Sequence, residues 1–385
     1  MGTPEPYPMT DTKLKRIASL TARDPHKRFD CLMHLFNEES LAGCFPELDG
    51  RKAVGTDGVD KADYGRELND NLKELVTRMK RMAYRPGPVR RVLIPKEDKP
   101  GAMRPLGISN FEDKLVQKMV HKVLESIYEP LFLDCSYGFR PGRDCHDAIR
   151  ALLDHLFRYE VQTIIDVDVA NFFGTIDPPL LLKMLSAKIS DPRFLRYLAR
   201  MFKSGVLAEG DLRVSDEGVP QGSNCSPILA NIFAHYVIDM WFEETVKPHC
   251  AGRVALFRYC DDLVICCQYE QDAARIHKAL AGRLSWVSAH AKRGENQARP
   301  VLQARPTGRP PGRGLRLSWV YVLLGAVATR GGGAESENQR RAVAQETQAS
   351  QCLGTSHAKP TAAPRALGDI LCQATGPHPV LRSVV

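Results

Sequence analysis

The chain has 385 residues, 43% apolar and 25% charged, and no stretch nears the roughly 18 consecutive apolar residues of a membrane span, so two or three globular domains are expected and a membrane protein is not. The amino-terminal MGTPEPYPMTDTKLKR lacks an apolar segment behind a basic start, which argues against a secretory signal and for the cytoplasm, and eleven cysteines without a CxxC pair fit reduced thiols better than a disulfide scaffold or a zinc knuckle. The net charge of +8 suggests a nucleic-acid partner until it is located: residues 285–385 hold 13 of the 53 Lys and Arg but 5 of the 45 Asp and Glu, so residues 1–284 are balanced and the excess sits in the tail.

In chain order, Asp63 is a candidate N-cap for residues 64–82, where Leu68, Leu72, Leu75, Val76 and Met79 fall at helical spacing; one amphipathic helix is predicted. Val89–Pro95 (VRRVLIP) alternates as a short strand. A Lys/Asp/Gly loop and the apolar return MRPLGIS follow, which together read as a basic hairpin. Residues 112–128 form a second amphipathic helix with Leu115, Met119, Val123 and Ile127 on one face. Residues 161–169 (VQTIIDVDV) are a β-branched run that ends in acidic residues. Residues 254–267 (VALFRYCDDLVICC) are two apolar runs broken by Tyr-Cys-Asp-Asp, the pattern of a hairpin with carboxylates at its turn. No repeat at a solenoid period is present. Near residue 284 the composition changes to RPTGRPPGRG and TRGGGAESENQ, and the apolar periodicity stops.

The chemistry gathers at the two strand endings. Asp168 ends a buried-looking strand, and Asp261 with Asp262 occupies a turn. Carboxylates on adjacent strands can hold two divalent ions about 3.5–4 Å apart, the clamp used for in-line phosphoryl transfer. Oxygen-only ligands suit magnesium. Taken alone, the Asp-Asp dipeptide reads first as the cap of a solvated hairpin turn.

Several ordered blocks make the chain similar to the reverse transcriptases of bacterial group II introns. Residues 84–117 (YRPGPVRRVLIPKEDKPGAMRPLGISNFEDKLVQ) resemble the family's fingers block, 136–149 (SYGFRPGRDCHDAI) the block after it, and 164–177 (IIDVDVANFFGTID) its first catalytic strand. Residues 217–242 (EGVPQGSNCSPILANIFAHYVIDMWF) resemble the palm helix block and 258–265 (RYCDDLVI) the second catalytic motif. Residues 54–75 (VGTDGVDKADYGRELNDNLKEL) are similar to the amino-terminal extension of the intron-type enzymes, which argues against retron-like relatives. The resemblance implies an α+β right-hand polymerase: an extension and the start of the fingers over 1–83, fingers over 84–160, a palm with an antiparallel sheet over 161–284, and an aberrant tail over 285–385 in place of a thumb.

By the same resemblance, Asp168, Asp261 and Asp262 hold two Mg2+ ions, with Asp166 a neighbour. Lys96 and Arg104 hold the incoming triphosphate as a point charge and a planar fork; a solvated loop charge is the competing reading for each. Phe173 is the aromatic floor that excludes a 2′-hydroxyl, against a core role such as that of neighbouring Phe172. Pro220, Gln221 and Gly222 lie under template and nucleotide, where a small residue permits close backbone approach. Arg140 and Arg143 meet template phosphates or serve as ordinary surface charges. Three departures leave the metal ligands intact: Cys260 where Ala is usual, which raises the question of an oxidation-sensitive thiol, Gly174 in place of an acid, and Ser223, Asn224 and Cys225 in place of a more apolar stretch.

After residue 284 the family's remaining blocks are missing from this reading frame. Synonymous codons for residues 292–299 (KRGENQAR), with one base dropped, read Ser-Glu-Glu-Lys-Thr-Lys-Leu-Val. Codons for 316–325 (RLSWVYVLLG), treated alike, read Asp-Phe-Leu-Gly-Phe-Thr-Tyr-Tyr-Trp. Both are family-like and in the family's order, so a frameshift near residues 280–290 is expected, and the gene's own codons decide it. A tail so generated was not selected to pack; disorder, and an open sheet edge where the last palm strand is lost, are expected. The function implied is RNA-directed DNA polymerisation, with dNTPs, a DNA primer and a group II intron RNA template as partners and no membrane. The alternatives are a non-catalytic RNA-binding splicing cofactor (a maturase fragment) and an inactive decayed product. No endonuclease motif is present, so DNA cleavage is not expected.

Overall fold

The computed structural model describes residues 8–95, 103–169, 172, 176–204, 206–208, 211–213, 223–291 and 302–306; for 8–9, 104–105, 168, 206–208, 211–213, 286–291 and 302–306 it describes the backbone alone. The fold is α+β, helices packed on two four-stranded sheets. The first helices are α1 (Pro8–Arg23) and α2 (Glu38–Cys44), the latter begun by Asn37, whose side chain accepts from the Ser40 amide. The single helix expected over 64–82 is two: α3 (Lys61–Arg66) and α4 (Leu68–Lys80). Its cap is Asp60, whose carboxylate accepts from the Asp63 amide. The break falls at Glu67 (φ −121°, ψ 40°), where the Asn71 side chain donates to the Tyr64 carbonyl.

The expected hairpin is β1 (Val89–Pro95) paired antiparallel with β2 (Met103–Ile108), Arg90 opposite Ile108 through Pro95 opposite Met103. β1 also pairs in parallel with β4 (Val206–Ala208), and β4 with β5 (Asp211–Arg213), giving the order β2-β1-β4-β5. α5 (Phe111–Tyr128) is the axis of the core: Leu115, Met119, Val123 and Ile127, its expected apolar face, are all 0% exposed, and Val116, Val120 and Leu124 are buried beside them. A helix apolar around so much of its girth belongs inside.

The second sheet carries the acidic motifs. β3 is Thr163–Val169, between α6 (Cys145–Arg158) and the helices α7 (Pro178–Ser186) and α8 (Pro192–Phe202). α9 (Ser226–Ala234) continues through two π-helical turns to Val246 before β6 (Val254–Tyr259), β7 (Asp262–Cys267) and α10 (Glu270–Ala291). The sheet order is β6-β7-β3-β8, antiparallel throughout, with β8 being Leu302–Pro306. One face carries α6, through Leu152, Leu156, Val161, Val264 and Cys266, and the other packs into the main core. Two findings bear on the carboxy-terminal expectation. α10 runs through the expected boundary at 284, and β8 pairs with β3 along Ile165–Val169, so the edge expected to lie open is occupied. Residues 292–301 and 307–385 lie outside the described residues.

Candidate active site

The pairing of β3 with β7 sets Asp168 directly opposite Asp262. Directly opposed residues of an antiparallel ladder share a face, with Cα atoms roughly 4.5–5.5 Å apart. Tyr259 pairs with Asp262, so Cys260 and Asp261 alone form the turn between β6 and β7. Cys260 has φ +58° and Asp261 does not share that positive φ, the backbone demand of a type II′ hairpin. Asp262 is therefore the first residue of a strand, and Asp261 is the turn residue. Both are half-buried and reachable from solvent, and the ladder fixes Asp262. Among the described side chains no three His, Cys, Asp or Glu converge on one point, and the side chain of Asp168, third of the expected set, is not among them. The set is all carboxylate oxygen, placed at one end of one sheet, and it fits a hard divalent cation.

The turn is braced from below by the loop that carries SYGFRPG. Gly138 lies against it so closely that a Cβ there would sit 2.4 Å from Cys260 Sγ and 2.5 Å from the Cys260 nitrogen. Ser136 bridges in parallel to Arg258, the Tyr137 amide donates to the Arg258 carbonyl at 2.9 Å, and the Arg258 amide donates to the Cys135 carbonyl at 2.7 Å. Burial, helped by the neighbouring Asp261 carboxylate, pushes the Cys260 thiol up to about 12. A raised thiol disfavours the reactive thiolate.

Arg140 is 8% exposed. Its Nε and one terminal nitrogen donate to the Glu129 carboxylate at 2.7–3.2 Å, the other terminal nitrogen donates to the carbonyls of Leu133 and Ser136, and the group stacks over Phe132. Arg143 donates to the Asp134 carboxylate at 2.6 Å and to the carbonyls of Asp134 and Ser136. Neither is a bland surface charge: both hold the 134–140 loop in shape. Arg104 has its backbone in β2 opposite Ile94. Lys96, Phe173, Pro220, Gln221 and Gly222 lie outside the described residues. The segment that follows them is described, and it is tied to α5: the Asn224 amide donates to Gln117 Oε1 at 3.2 Å and its side chain donates to the Lys114 carbonyl. Phe172 is buried against Phe233, the core role.

The model of the reverse transcriptase (RNA-dependent DNA polymerase) family matches residues 94–293, slightly over half of the chain, including β3, the acidic turn and the loop beneath it. The chain belongs to the reverse transcriptase family. Among curated proteins it is 35% identical over 225 residues to protein YkfC of Escherichia coli (strain K12), covering 57% of this chain and 58% of that one. It is 36% identical over 193 residues to the group II intron-encoded protein LtrA of Lactococcus lactis subsp. cremoris, covering 50% of this chain and 31% of LtrA. An intron maturase, nuclear intron maturase 2, mitochondrial, of Arabidopsis thaliana, is 25% identical over 175 residues, 36% of this chain and 24% of its own length. Within the reverse transcriptases the chain thus stands with the group II intron proteins and maturases, and it spans between about a third and three fifths of the first two relatives it matches.

Two features of this reverse transcriptase were not singled out from sequence. Gly138 was one glycine among 29. Arg258 and Asp239, whose side chains are 1% and 0% exposed, pair beneath the turn. The available signal was a lone Asp inside IFAHYVIDMWF and a lone Arg at the end of VALFRY, opposite charges each stranded in an apolar run.

Proposed function

We propose that the chain is an RNA-directed DNA polymerase of a group II intron, which adds dNTPs to the 3′ hydroxyl of a DNA primer on an RNA template. The observation that carries this reading is the register of β3 with β7, which opposes Asp168 and Asp262 and leaves Asp261 in the adjoining two-residue turn. Two Mg2+ ions would be held by Asp168, Asp261 and Asp262; when bound they neutralise charge at the attacking and leaving oxygens of an in-line displacement. The chain's own contribution is placement. The ladder fixes Asp262, the turn presents Asp261, and partial exposure leaves both open to a substrate. Lys96 and Arg104 hold the triphosphate, Phe173 blocks a 2′-hydroxyl, and Pro220, Gln221 and Gly222 support template and nucleotide. Arg140 and Arg143 act on the template through the loop they brace. No described helix is long and apolar enough to cross a membrane.

The test is Mg2+-dependent dNTP incorporation on an RNA template with a DNA primer. The comparison is this chain against its Asp261→Ala, Asp262→Ala variant. Incorporation that disappears in the variant supports the reading; no incorporation by the folded chain, or equal incorporation by both, refutes it.

A further inference from the structure

Arg258 stands two residues before the turn and is buried at its base. Its guanidinium has five N–H donors in a fixed fork, and every one is used. Nε donates to Asp239 Oδ1 at 2.8 Å, one terminal nitrogen to Asp239 Oδ2 at 2.7 Å and Ser136 Oγ at 2.6 Å, and the other to Asn231 Oδ1 at 2.9 Å and the Cys260 carbonyl at 3.0 Å. Asp239, Asn231 and Ser136 are each no more than 1% exposed. Asn231 passes the restraint on, its Nδ2 donating to the Gly138 carbonyl at 2.7 Å, and Gly138 is the residue in contact with Cys260.

We propose that Arg258 is a positioning residue for the catalytic carboxylates: clamped by Asp239, Asn231 and Ser136, it holds the Cys260 carbonyl and so fixes the two-residue turn from which Asp261 and Asp262 project. A hairpin turn has one carbonyl per residue with which to be anchored from inside the fold, and here the anchor is a planar ion held at its other donors by groups on α9, on the helical segment after it and on the 134–140 loop. Burial opposes the charge of Arg258, and the Asp239 carboxylate outweighs it, so the fork stays ionised. A buried ion pair of this kind adds little net stability compared with apolar side chains of the same volume; what it adds here is direction, because no apolar side chain holds a carbonyl. The activity arm of this inference rests on the polymerase reading above, and its labelling arm rests on the fold alone.

The test uses the full chain and two variants. Arg258→Met with Asp239→Leu removes both charges, so that neither is stranded in the core, and Arg258→Lys keeps the ion pair while losing the fork. The first readout is iodoacetamide labelling mapped by mass spectrometry. Cys260 reports the turn, and Cys266, fully buried on β7, reports the sheet. The expected result in both variants is faster labelling of Cys260 with Cys266 as protected as in the parent. The second readout is single-nucleotide incorporation, where kcat is expected to fall on the order of 10- to 100-fold, the loss typical of a reacting group displaced by about 1 Å, with KM for the dNTP unchanged. Cys260 protected as in the parent overturns the proposal, and so does Cys266 exposed in step with Cys260, because the pair then holds the fold and not the turn. If the parent incorporates no nucleotide, the labelling still decides the proposal, and it is the polymerase reading that falls.

Discussion

Replacing Gly138 by Ala tests how tightly the acidic turn is held. The added Cβ would lie 2.4 Å from Cys260 Sγ, 2.5 Å from the Cys260 nitrogen and 3.2 Å from its Cα, whereas ordinary contact begins at 3.4 Å. The sulfur can rotate away, but the backbone nitrogen cannot. The loop that carries Gly138 has no slack either, because Ser136, Tyr137 and the Gly138 carbonyl are all bonded to Arg258 or Asn231. The turn must therefore give way by roughly 1 Å, a misplacement that costs on the order of 100-fold when it reaches a reacting group. Overpacking of this size costs about 1–3 kcal/mol of stability, which leaves a folded protein to assay. Single-turnover dNTP incorporation is expected to slow by that factor, while the thermal midpoint falls by a few degrees. A Gly138→Ala variant with the parent's incorporation rate would refute the claim that this contact sets the turn.

Asp113 gives a pH signature. Burial raises its carboxyl from 3.8 to about 6, against the opposing bonds from the Tyr84 hydroxyl and the Gly87 amide. The folded value lies above the unfolded one, so the native state binds the extra proton. This contribution to stability is full below about pH 4 and is lost as pH rises to 6, a change of about 3 kcal/mol. Urea titrations of the parent and Asp113→Asn at pH 4.5 and pH 7 should show the parent losing ground to the variant at the higher pH, and parallel behaviour would contradict the assignment. The nine described thiols are predicted to sort by burial: among them, at pH 8, iodoacetamide should modify exposed Cys31 first. Cys44 and Cys225, pushed up to about 11, and Cys266, pushed up to about 12, should react only after denaturation. Labelling of Cys266 at the rate of Cys31 in the native chain would refute the burial of β7.

The elements legible in the sequence were those with a strong period. The bounds of β1 match the alternation of VRRVLIP, and α5 lies within one residue of the predicted helix, because its apolar face recurs every three to four residues over eighteen. The break at Glu67 escaped that reading because the periodic residues, from Leu68 to Met79, all lie after it and so say nothing about the turn before, where the Asn71 side chain reaches back to the Tyr64 carbonyl. The acidic hairpin was legible as a hairpin, but the opposition of Asp168 to Asp262 is a matter of register between strands far apart in the chain, and periodicity does not encode it. For the same reason the Arg258–Asp239 pair was hidden: each charge looks anomalous alone, and only the fold shows that they answer one another. Composition placed a boundary near residue 284, whereas α10 continues to Ala291, since residue content can shift within a helix that goes on satisfying its backbone.

The placement of α5 has a consequence for the order of assembly. Its buried face meets α1, α2 and α3, all made from the preceding hundred or so residues, so this half of the molecule can condense while the remainder is still being synthesised. The ladder between β3 and β7 has no such advantage: Thr163 must find Cys267 across about a hundred intervening residues, and the entropy of closing that loop is met only when the last strands exist. The acidic residues of the site are thus expected to come together last, on a scaffold that has already formed.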